Sequence, residues 1–82
     1  MDKATIRKKS LAYLLAPHVW PSWPRCPVIR RDPSGVIAEI GVVLAMQPHV
    51  LLCNIFDAKL EGAEAIKYEC FSELVNDGWE VD

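Results

Sequence analysis

Residues 28–46 read VIRRDPSGVIAEIGVVLAM, two β-prone runs on either side of Asp32-Pro33-Ser34-Gly35. Proline presets φ for the second position of a turn and glycine accepts the left-handed backbone that closes one, so the stretch predicts a β-hairpin. Its second arm, VIAEIGVVLAM, predicts a long strand. The even positions Val36, Ala38, Ile40, Val42, Leu44 and Met46 are all apolar and mark the expected inward face, with Glu39 on the opposite one. Gly41 interrupts the run, as glycine does at a bulge or at the bend of a barrel corner.

The same period continues toward the C-terminus. Gln47-Pro48 predicts the next turn, and HVLLCNIFD (49–57) is a nearly unbroken apolar run, as expected of a central strand covered on both faces. AKLEGAEA (58–65) reads as a loop around Gly62. IKYECF (66–71) then alternates, with Ile66, Tyr68 and Cys70 on one face and Lys67 and Glu69 on the other. Ser72 is expected to cap a single helical turn, SELVNDG, that Gly78 closes before a last strand with Trp79 and Val81 inward. The competing reading makes residues 61–77 helical and the fold α+β, because Leu60, Ala63 and Ala65 favour helix.

The run IGVVLAMQPHVLLCNIFD and the closing SELVNDGWEV give paired strands around a tight turn and a short helical turn before the last strand. That pattern resembles a Src-homology-3-like small barrel over residues 27–82. The resemblance implies a mainly β fold, a five-stranded barrel. It is one of topology, so no family site residues come with it.

Upstream, residues 1–16 read as a short N-terminal helix over 3–15. Ala4, Leu11, Ala12, Leu14 and Leu15 share one side, while Lys3, Thr5, Lys9 and Ser10 lie elsewhere. A helix this short is marginal alone and has to dock on something. Residues 17–27 contain prolines at 17, 21, 24 and 27 together with Trp20 and Trp23. This spacing predicts an extended, polyproline-like strap between the helix and the barrel at 28–82. Trp20 and Trp23 are three residues apart, so in polyproline II both rings point the same way. Two destinations fit them: the flank of this chain's own barrel, or the groove of a partner.

Eighty-two residues make one domain. Half the residues are hydrophobic and a quarter charged, a composition that excludes a disordered chain. The basic KATIRKK leads into SLAYLLA, but Pro17 stops the apolar part short of a secretory core or a membrane span. With Cys26, Cys53 and Cys70 odd in number and far apart, the thiols read as reduced and buried, and the chain as cytoplasmic.

The net charge of −2 is unevenly distributed. Residues 1–41 hold seven basic groups against three acids, +4; residues 42–82 hold two against eight, −6. His18, Cys26, His49, Cys53 and Cys70 lack the close pairing of structural zinc ligands. His49 and Cys53 would stand about 13 Å apart along a strand at ~3.3 Å per residue. No metal, cofactor or catalytic residue is therefore assigned, and no phosphate-binding loop or protease motif is present in the sequence. The expected function is a small non-enzymatic adaptor module that binds a protein through charge-segregated surfaces. Its expected partner-binding residues are Arg7, Lys8 and Lys9, Trp20 and Trp23, and Glu69, Glu73 and Glu80. The alternatives are an acidic, phage-type inhibitor that fills the basic cleft of a nucleic-acid-binding protein and, against the acidic balance, a barrel that binds nucleic acid directly.

Overall fold

The Asp32-Pro33-Ser34-Gly35 turn forms as its residue types require in the computed structural model, which describes residues 3–53 and 64–82. Gly35 has a φ of +90° and its N–H donates to the Asp32 carbonyl at 2.9 Å. The Asp32 carboxylate accepts from the Ser34 N–H, the Ser34 hydroxyl and the Val36 N–H, so the turn is tied from inside. It joins β1 (Arg25–Arg31) to β2 (Ile37–Leu44) in antiparallel register, with Cys26 opposite Val43, Val28 opposite Gly41 and Arg30 opposite Glu39.

Three short strands complete a five-stranded antiparallel sheet: β3 (His49–Leu51), β4 (Ala65–Lys67) and β5 (Trp79–Val81), in the order β4-β3-β2-β1-β5. The expected barrel is not closed. β4 pairs only with β3 and β5 only with β1 among the described residues. A physical reason lies at the outer edge of β5. There helix α1 (Lys3–Leu14) lies against the strand, and the Ser10 hydroxyl accepts the Val81 N–H at 3.1 Å. A closing strand would have used that donor, and the helix has taken it.

The core consists of Leu14, Trp20, Cys26, Val28, Val43, Val50, Leu74, Val75 and Trp79. On β2 this cluster draws Val43, and Ala45 packs against it, so the odd positions face it, not the even ones. Val42 is also fully buried on the opposite face, while Ala38 and Ile40 are exposed. Gly41 is needed for close approach: a Cβ there would collide with the Val50 side chain and come within 3.1 Å of the Leu51 carbonyl and 3.4 Å of the Trp79 ring. The register irregularity lies elsewhere, between Arg30 and Arg31.

The strap differs most from expectation. Residues 17–24 are not extended but coil through consecutive turns: Val19 N–H to Ala16 O, Trp20 to Pro17, Trp23 to Trp20 and Arg25 to Ser22. Pro17–Val19 is a short 3₁₀ turn, and the Trp23–Pro24 peptide is cis. Pro17 and Pro21 each sit second in one of these turns, a position proline favours as strongly as polyproline II. The two indoles therefore part company: Trp20 is 4% exposed and Trp23 63%.

Further corrections are local. Helix α1 buries Ser10 and Leu14 and leaves Ala4, Ala12 and Leu15 outside. Helix α2 runs Phe71–Asn76 with Cys70, not Ser72, at its N-cap, and Cys70 is exposed, so only Cys26 is a fully buried thiol. Ile66 and Tyr68 do face the core, and Gly78 closes α2 at a φ of +102° before Trp79 turns inward. The loop around Gly62 and residues 54–57 of the predicted central strand lie outside the described residues. No helix among those described is long and apolar enough to cross a membrane.

Candidate functional site

The alternation of β1 that buries Cys26 and Val28 also turns Arg30 toward the core side, where a cation requires partners. It has three. Its Nε and Nη2 donate to the Glu39 carboxylate at 2.8 and 2.6 Å, and its Nη1 to Asp77 at 3.0 Å. Its guanidinium also stands 4.7 Å from the Trp79 ring centroid, at cation–π distance. The Tyr68 hydroxyl donates to the same Asp77 oxygen and accepts the Trp79 indole N–H at 3.1 Å. Partial burial opposes the charge on Arg30, but the pairs with Glu39 and Asp77 outweigh it, so its pKa lies above the ordinary value. Burial, then the bond to Asp77, raise the Tyr68 phenol. Every member is engaged with another, so this network locks α2 and β5 onto the hairpin. Sequence reasoning missed it. A signal existed: the turn sets the register that places Glu39 opposite Arg30.

Beside Trp79, a cleft of about 240 Å³ opens between the first turns of α1, the hairpin turn and the α2–β5 corner. Lys3 and Arg7 line it, and neither has an ion pair among the described residues. Arg31 lines it too, fixed by bonds from Nε to Glu80 at 2.8 Å and from Nη1 to the Gly35 carbonyl at 2.9 Å. The cleft's carboxylates, Asp32 and Glu80, are already engaged by the turn and by Arg31. The Ser34 hydroxyl, with the turn's backbone N–H groups, holds Asp32 below the usual carboxylate range.

The expected partner-binding residues are scattered by the fold. Arg7 faces the cleft, and Lys8 and Lys9 are exposed on α1. Trp20 is withdrawn into the core, its indole N–H bonded to the Tyr13 carbonyl at 2.8 Å and its ring stacked on Tyr13 at 6.4 Å. Glu69 and Glu73 are exposed, and the Glu73 carboxylate accepts the Glu69 N–H. Glu80 is tied to Arg31.

At the other end of the hairpin, the Ala45 N–H donates to the Pro24 carbonyl at 2.8 Å, which sets Trp23 and Met46 on either side of one hydrogen bond. Met46 is 82% exposed and has a φ of +66° in the turn that returns β2 to β3. The sequence period assigns Met46 to the inward face with the other even positions, and the turn after Leu44 carries it into water instead. Among the described residues no group of three or more histidine, cysteine or acidic side chains is placed to hold a metal ion.

No protein-family model, curated protein or solved structure matches this chain. The geometry alone carries the functional reading.

Proposed function

We propose that this chain is a small non-enzymatic binding module whose partner is a protein, seated on the apolar display of Trp23 and Met46. The observation that carries this reading is Met46. Its left-handed backbone costs a non-glycine residue roughly 1 kcal/mol, and turns of this kind normally use Gly or Asn there. A large, flexible thioether at 82% exposure recovers nothing from burial in this chain. Across the Ala45–Pro24 hydrogen bond, Trp23 is also mostly in water. Tryptophan and methionine are enriched at protein interfaces, and tryptophan at the positions that dominate binding energy. The sheet order and the short helix α2 before β5 support a Src-homology-3-like connectivity in opened form, a scaffold that leaves Trp23 and Met46 at one end of the hairpin.

The test is capture of a partner from the source cell by the tagged chain, repeated with Trp23→Ala and Met46→Gly. Met46→Gly relieves the backbone and is expected to raise stability by about 1 kcal/mol while reducing capture, a combination that misfolding cannot produce. Reversing the charge of Glu69 and Glu73 is expected to leave capture in place. Undiminished capture by both apolar variants would refute the reading. Loss on charge reversal alone would move the contact to the acidic face and favour the inhibitor.

A further inference from the structure

The cleft beside Trp79 is a second surface feature, at the opposite end of the hairpin from Trp23 and Met46, and its chemistry is different. We infer that it is a binding site for a single carboxylate group, held by Arg7, Lys3 and Arg31.

Three observations converge on it. The first is uncompensated charge: Lys3 and Arg7 point no ion pair at any described residue, while Asp32 and Glu80 are spent on the turn and on Arg31. The second is preorganisation. Arg31 uses two of its five N–H donors on Glu80 and the Gly35 carbonyl, which fix its plane and leave three for a ligand. A guanidinium held in this way, with a second one at Arg7 that has no ion pair among the described residues, suits the forked geometry of an oxyanion. The third is size. At about 240 Å³ the cleft falls below the range of roughly 300 Å³ and upward that holds a drug-sized ligand. It fits one acidic side chain, one chain terminus or a small organic acid, with Ile6 and Pro33 as apolar walls for the carbon atoms.

Charge counting selects a carboxylate over a phosphate. Among the described lining residues, Lys3, Arg7 and Arg31 against Asp32 and Glu80 leave a balance of +1. A carboxylate brings that to zero, whereas a phosphate dianion would leave −1 beside two carboxylates that already repel it. The site goes beyond the Trp23–Met46 reading and stands or falls separately from it.

The test is an NMR titration of the isotopically labelled full chain at constant ionic strength. The probes are acetate, N-acetylglycine, an acetylated and amidated Gly-Glu-Gly peptide, its Gln counterpart and inorganic phosphate. The expected result is saturable shifts at the Gly35 and Gly78 amides and the Trp79 indole with the three carboxylates, and none with the neutral peptide. Arg7→Gln should weaken them by about tenfold or more, the loss of one charge-assisted pair. Lys8→Gln removes the same charge from the same helix outside the cleft and should change nothing. Acetate as tight as the peptides supports the site with a free acid as ligand. Tighter N-acetylglycine supports it with a chain terminus, and tighter Gly-Glu-Gly with an acidic side chain. Absence of saturable shifts, equal affinity in Arg7→Gln, or saturation by phosphate with silent carboxylates would each overturn it.

Discussion

Trp20 and Trp23 belong to one proline-rich segment yet should lose very different amounts of stability on the same substitution. A tryptophan side chain buries up to about 200 Å² when fully enclosed, worth about 5 kcal/mol at ~25 cal/mol per Å² as an upper bound. Trp20, at 4% exposure, realises nearly all of that, and Trp20→Ala also removes the indole N–H bond to the Tyr13 carbonyl, which keeps only the Ala16 N–H. The expected loss is about 3–5 kcal/mol, as large as the whole net stability of a core this small, so the variant should be largely unfolded. Trp23, at 63% exposure, buries about two fifths as much, and Trp23→Ala should cost about 1–2 kcal/mol. Urea unfolding followed by far-ultraviolet circular dichroism measures both, with Trp20→Phe as a variant that keeps enough packing to fold. Intrinsic fluorescence gives an independent reading: Trp23→Phe should shift the native emission to the blue by removing the solvent-exposed indole. Equal losses from the two alanine variants, or a larger loss at Trp23, would refute the packing described for this segment.

Other consequences are equally direct. Gly41→Ala forces a Cβ against Val50 and the Leu51 carbonyl and should cost about 1–3 kcal/mol in the same urea assay. Ser10→Ala removes the acceptor of the Val81 N–H at the covered edge of β5; the same assay should show a loss of about 1–3 kcal/mol, and hydrogen exchange at Val81 should accelerate. Burial pushes the Cys26 thiol up to about 11 from 9.0. The folded chain thus keeps a proton that the unfolded chain releases, and this share of stability is complete below pH 9 and lost as pH rises toward 11. Cys26→Ala should flatten that alkaline loss in a pH series of unfolding curves. In a thiol-labelling time course, Cys70 should react in the native state and Cys26 only on unfolding.

What could be read from the residues alone was whatever a few neighbours decide among themselves. The Asp32–Gly35 turn, the left-handed Gly78, the inward Ile66, Tyr68 and Trp79 and the existence of α1 all follow from local backbone preference or from a period of two with one polar face. The Arg30–Glu39 pair was within reach of the same logic, since a tight turn sets the register of the strands it joins. Where local chemistry is degenerate, tertiary packing made the choice. Prolines at 17, 21 and 24 suit both a polyproline strap and a chain of turns. The turns prevailed because they bring Trp20 onto Tyr13 and into the core while sending Trp23 outward. In VIAEIGVVLAM both faces are apolar over 42–44, so alternation could not say which side meets Trp79. The absence of a Cβ at Gly41 settles it, by letting Val50 and Trp79 approach from the odd side. Closure of the sheet was beyond any local signal. It depends on whether the outer N–H of Val81 meets a strand or a helix, and a serine 71 residues away supplies the answer.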